Sequence, residues 1–91
     1  MAVEHVSGRD VGQVMLYALS TCVWCKKTKR LLDELGVTYD YEYVDFLRGD
    51  EKTEAMDTVR HWNPSCSFPT LVLKDKCIVG FMERDIREAL S

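Results

Sequence analysis

The chain has 91 residues, of which 46% are hydrophobic and 30% charged, and a net charge of −3. Such a length makes one domain able to bury about 60–65% of its unfolded surface, enough for a core without disulfide or metal staples. There is no basic cluster beyond the lysines of one helix and no apolar run near the ~18 residues of a bilayer span, so neither a nucleic acid nor a membrane is expected as a partner.

Residues 1–13 read as a surface lead-in with two turn-forming glycines, Gly8 and Gly12, and a possible short strand around His5. Glu4, His5, Arg9 and Asp10 leave no room for the apolar core of a signal peptide. The protein is therefore expected in the cytoplasm, as a monomer. In that reducing compartment a close cysteine pair is catalytic or metal-binding rather than a staple.

Residues 14–91 read as the folded domain. Val14 to Leu19 is a continuous apolar run of strand length, which predicts a central strand covered on both faces. A helix is predicted from about Val23 to Leu35, with Cys25, Thr28, Leu31, Leu32 and Leu35 on one arc and Gly36 as its left-handed cap. From Val37 to Val44, Tyr39, Tyr41 and Tyr43 alternate with Asp40 and Glu42, the pattern of a strand with one wetter face whose charges suit a sheet edge. Strand, helix and strand in succession make the two strands parallel.

Asp50 is placed to cap a second helix, with Ala55, Met56, Val59 and Trp62 on its apolar side and Asn63-Pro64 as its end. Thr70 to Leu73 and Cys77 to Val79, joined by Lys74-Asp75-Lys76, read as a hairpin. Gly80 then bends the chain into a last helix with Met82, Ile86, Ala89 and Leu90 inward. The order is β-α-β-α-β-β-α: an α/β fold.

The chemistry is concentrated in Cys22-Val23-Trp24-Cys25, at the junction of the first strand and first helix. The helical arc puts Cys25 on the buried stripe and Cys22 at the helix mouth, beside unpaired backbone N–H groups, Lys26 and Lys27. A free thiol is only about 3% ionised at neutral pH, and helix N-termini and cationic neighbours raise that fraction. Two intervening residues set Cys25 one turn along, within reach of a mixed disulfide on Cys22. Cys22 is thus read as nucleophile and Cys25 as resolving thiol. A four-thiolate zinc site is disfavoured, because ten residues separate Cys66 from Cys77 where a zinc ribbon needs a second close pair.

Tyr17-Ala18-Leu19-Ser20-Thr21-Cys22-Val23-Trp24-Cys25, Ser67-Phe68-Pro69-Thr70 and Val79-Gly80-Phe81 together resemble the glutaredoxins, of the thioredoxin fold, over about Val14 to Leu90. The resemblance implies a thioredoxin-like four-stranded mixed sheet flanked by helices. It also implies a cis bond before Pro69 that lets the Phe68 backbone pair with substrate, and an anion site at Gly80 and the backbone amides of Met82 and Glu83. Val23 and Trp24 stand where the family carries proline and tyrosine; Trp24 either lines the substrate groove or covers Cys25.

The implied activity is reduction of protein or low-molecular-weight disulfides, with no bound cofactor or metal. Some glutaredoxins instead carry a [2Fe–2S] cluster, mostly with serine at the position of Cys25. The lysine that meets glutathione's glycine carboxylate in the family is Leu19 here, which counts against glutathione as reductant. Gly80-Phe81, with valine after the first cysteine, resembles redoxins that take electrons from a thioredoxin-type reductase. Cys66 is read as a small buried hydrophobe or a thiol near the active site, Cys77 as packing, and His5 and His61 as surface residues.

Overall fold

The computed structural model describes residues 3–90. Met1, Ala2 and Ser91, assigned above to the lead-in and the domain's end, lie outside the described residues. The elements are β1 (Glu4–Val6), β2 (Val14–Ala18), α1 (Val23–Leu35), β3 (Tyr39–Tyr43), a 3-10 turn (Val44–Phe46), α2 (Gly49–Trp62), β4 (Thr70–Leu73), β5 (Cys77–Val79) and α3 (Glu83–Leu90). They build a mixed sheet in the order β1-β3-β2-β4-β5.

β2 is the central strand, parallel to β3 and antiparallel to β4. Its even residues Val14, Leu16 and Ala18 join Leu31 and Leu32 of α1 and Ile86 and Leu90 of α3 in the main core. On the other face Tyr17 packs with Val44, Leu47 and Ala55, beneath α2. With cover on both sides, β2 and β4 carry continuous apolar runs instead of alternation. Each fully buried leucine or isoleucine here contributes about 1.5–3 kcal/mol.

α1 runs as the periodicity predicts. Gly36 ends it at φ 67°, ψ 28°, its N–H donating to the Asp33 carbonyl at 3.1 Å. The stripe of Cys25, Thr28, Leu31 and Leu32 is buried.

Four expectations need correction. The sheet has five strands, not four, because the lead-in supplies β1, paired antiparallel to β3. β3 is consequently an inner strand, and on its wetter face Glu42 is buried while the Asp40 side chain stays 44% exposed. Asp50 does not cap α2; Arg48 holds that position without a side-chain bond, and Asp50 lies in the first turn. Met82 lies just before α3 and is 48% exposed, whereas Ile86 and Leu90 do face inward. A methionine beside an amphipathic run looks apolar-facing in sequence, but here the helix has not yet begun.

The tyrosine stripe is packing. Tyr39 is buried with its O–H donating to Asp33 at 2.6 Å, and the Tyr41 ring lies 6.0 Å from Tyr39 and 5.5 Å from Tyr43. His5 is exposed but partnered, its Nδ1 2.6 Å from Asp40 across the β1–β3 pair.

Glu42, on the opposite face of β3, is only 9% exposed. Burial, and next the charge of Glu51, push its carboxyl above the usual range. An acid whose folded pKa exceeds its unfolded one binds more protons when folded, so stability falls as pH rises from the unfolded value through the folded one. Glu42→Gln should therefore raise Tm at pH 7, with the gain shrinking toward pH 4. Thermal unfolding in an amine-free buffer measures this; a lower Tm at pH 7 would show that the carboxylate is compensated.

Candidate active site

The strand-to-helix junction holds both sulfurs as the spacing required. Cys22 is the N-cap of α1, extended at φ −86°, ψ 119°, and its Sγ accepts the Cys25 N–H at 3.2 Å. Its carbonyl accepts the Lys26 N–H at 3.1 Å, and its own N–H donates to Leu19 at 3.2 Å. A sulfur thus occupies the place of the side-chain oxygen that usually satisfies a first-turn amide. Cys22 is part-exposed, while Cys25 is 2% exposed and belongs to the main core. Both are free thiols.

Burial, and next its hydrogen bond to Cys22, push the Cys25 thiol up to about 12. At pH 7 a thiol with that value is ionised to an extent on the order of 10⁻⁵. Iodoacetamide at pH 7 should accordingly modify Cys22 while Cys25 stays unmodified until the protein is denatured. Peptide mapping by mass spectrometry checks it, and equal labelling of the two would contradict the buried, protonated state.

The loop before α1 is tied down by a residue that sequence inspection did not single out. Asp45, in the 3-10 turn after β3, accepts the Ser20 N–H at 2.9 Å and its hydroxyl at 2.5 Å. The Ser20 hydroxyl holds the Asp45 carboxyl below the usual range, so it stays ionised. Twenty-five residues separate the pair, and neither residue type is unusual where it stands; no sequence signal marks them.

Phe68-Pro69 is a cis peptide, as the resemblance implied, with Pro69 buried and its carbonyl accepting the Gly80 N–H at 2.9 Å. Trp24, 55% exposed, stacks on Phe81 with centroids 6.1 Å apart and planes 24° apart, and Lys27 Nζ sits 4.8 Å over its ring. Trp24, Phe68, Gly80 and Phe81 line a cleft of about 230 Å³. Val23 and Met82 are exposed. The Met82 N–H donates to Gly80 at 3.1 Å within the turn before α3, and Glu83 opens that helix. Trp24 and Phe81 form two walls of this cleft.

The other two cysteines lie outside the helix mouth. Cys66 is part-exposed rather than buried, at φ 53°, its N–H donating to the Asn63 carbonyl at 2.8 Å. Cys77 Sγ donates to the Trp62 carbonyl at 3.1 Å, joining β5 to the end of α2.

A mixed sheet flanked by helices, with a Cys-x-x-Cys pair at the mouth of the helix after its central strand, defines a thioredoxin-like redox protein. The glutaredoxin family model matches residues 14–78, and the chain belongs to that family. The crystal structure of a glutaredoxin from Methanosarcina mazei is 58% identical, covering 100% of this chain and 89% of that one, with a TM-score of 0.92. Methanoredoxin from Methanosarcina acetivorans is 55% identical, over 92% of this chain and 90% of its own, with a TM-score of 0.90. Rabbit glutaredoxin-1 is 27% identical over 87% of this chain and 76% of its own.

Proposed function

We propose that the protein is a dithiol oxidoreductase that reduces protein or low-molecular-weight disulfides. The observation that carries this reading is the asymmetry of the pair: Cys22 part-exposed at the helix mouth and accepting a backbone N–H, Cys25 buried beneath it. The Cys22 thiolate attacks one substrate sulfur; the substrate S–S bond breaks, a Cys22–substrate disulfide forms, and the other half leaves as thiolate. Cys25 then loses its proton to the medium or the departing thiolate and attacks Cys22 Sγ. The second half leaves, so two electrons pass to the substrate and Cys22–Cys25 becomes the disulfide.

The hydrogen bond and charge of Cys22 both help keep Cys25 protonated. Once Cys22 is in the mixed disulfide its charge is gone, and that part of the restraint goes with it. Burial, the largest cause, stays in place, so the second step is eased by that part alone.

The reductant that closes the cycle is read as a thioredoxin-type reductase in preference to glutathione. Leu19 packs with Val44, Leu47 and Ala55, offering an apolar side chain where the family's lysine would meet a carboxylate. Oxidised protein supplied with a thioredoxin-type reductase and NADPH should turn over, and with glutathione and its reductase should do so at least about tenfold more slowly. Fast turnover with glutathione would remove Leu19 as a determinant of donor choice.

A further inference from the structure

We propose that the cleft between β2, β3 and α2 is a binding site for a linear oligoamine, a methylene chain carrying two or three ammonium groups. The cleft has a volume of about 410 Å³ and is lined by Tyr17, Glu42, Glu51, Glu54, Thr58 and apolar neighbours, including Ala55. It lies on the face of the sheet away from Cys25, α1 and α3. Its volume is in the range that small ligands occupy.

Three acids on a surface would signify little, but Glu42 is not on the surface. It is 91% removed from solvent and neighbours Tyr17 across the β2–β3 pair. Among the described residues no side chain or backbone N–H donates to its carboxylate, and no cation pairs with it. Yet no fully buried side-chain oxygen is left unsatisfied. What remains of its exposure therefore opens into the cleft it lines. With most of its surface buried and no partner in the chain, this carboxylate keeps only the water of the cleft, and an ammonium group there would compensate its charge better.

The arrangement selects the cation. No three acidic, histidine or cysteine residues among those described converge closely enough to hold a metal ion. The negative charges are instead spread from Glu42 on the cleft floor to Glu51 and Glu54 on α2, with no basic residue among the lining groups. Separated ammonium groups match separated carboxylates. The methylenes between them would lie against Ala55, Val3 and the ring of Tyr17, whose phenol and the Thr58 hydroxyl add acceptors.

Spermidine, titrated into ¹⁵N-labelled reduced protein in amine-free, low-salt buffer, should give saturable amide shifts centred on Tyr17, Glu42, Glu54 and Thr58. Glu42→Gln should weaken that binding by about tenfold or more. Magnesium chloride at equal ionic strength should give no such localised shifts. If Glu42→Gln fails to fold, Glu51→Gln and Glu54→Gln, both exposed on α2, should each weaken binding by about threefold or more. The proposal is overturned by an absence of saturable shifts, by an equal response to magnesium, or by unchanged affinity in the variants. Binding of a lysine-rich peptide without binding of spermidine would also overturn it, in favour of a basic protein partner.

Discussion

Cys22→Ser is expected to bring disulfide reduction to the background rate, a loss of about 10³-fold or more, because the hydroxyl that remains is far too weak an acid to supply an anionic nucleophile at pH 7. Cys25→Ser should behave differently. Its Cys22 still attacks, but nothing inside the protein resolves the product, so a one-to-one covalent adduct with substrate accumulates and is visible by intact mass. The contrast rests on placement: one sulfur part-exposed at the N-cap, the other 2% exposed in the core. Activity retained by Cys22→Ser and lost by Cys25→Ser would reverse the roles and require Cys25 to come out of the core.

Gly8→Ala is expected to destabilise the fold strongly, since of the five glycines only Gly8 has backbone atoms where a Cβ would stand. A Cβ at Gly8 would stand 2.4 Å from the Gly36 carbonyl oxygen and 2.8 Å from the Val37 carbonyl carbon, both backbone atoms that cannot rotate away. The close approach is fixed by a ladder of bonds. Gly8 N–H donates to Thr38 Oγ1 at 2.8 Å, that hydroxyl donates to the Gly8 carbonyl at 2.7 Å, and Arg9 N–H donates to Gly36 at 2.7 Å. Arg9 also reaches the Leu90 carbonyl at 2.9 Å, so one short segment ties the end of α1 to the end of α3. Overpacking of this kind costs about 2–3 kcal/mol, or roughly 10–20 °C in Tm for a domain of this size. A Tm within about 3 °C of the unsubstituted protein would mean that the lead-in is only loosely attached. Activity per folded molecule should be unchanged, since Gly8 sits against Gly36 at the far end of α1 from Cys22.

That segment also carries almost no mark of its role in its own residues. Gly8 looks like any turn glycine, because nothing near it in sequence reveals that Gly36 and Val37 will pass within van der Waals range. β1 was weakly signalled for a related reason: Glu4, His5 and Val6 have little apolar pattern of their own, and their strand exists because β3 offers it a free edge. Alternation puts Glu42 on the wet side of a strand, since it reports which residues share a face but not what surrounds that face.

By itself the sequence determined what depends on near neighbours: the strand–helix junction, the one-turn offset of Cys22 and Cys25, the glycine that ends α1, the hairpin, and a dithiol site with unequal sulfurs. These follow from backbone geometry repeating every two or 3.6 residues, which a linear chain displays directly. Packing of whole elements alone sets that Asp45 holds Ser20, that Phe81 faces Trp24, that the lead-in extends the sheet, and that a carboxylate lies buried on β3 facing a cleft beside α2. Each of those joins residues far apart in the chain, and contacts of that kind come from packing whole elements together, which leaves no periodic trace in the order of the amino acids.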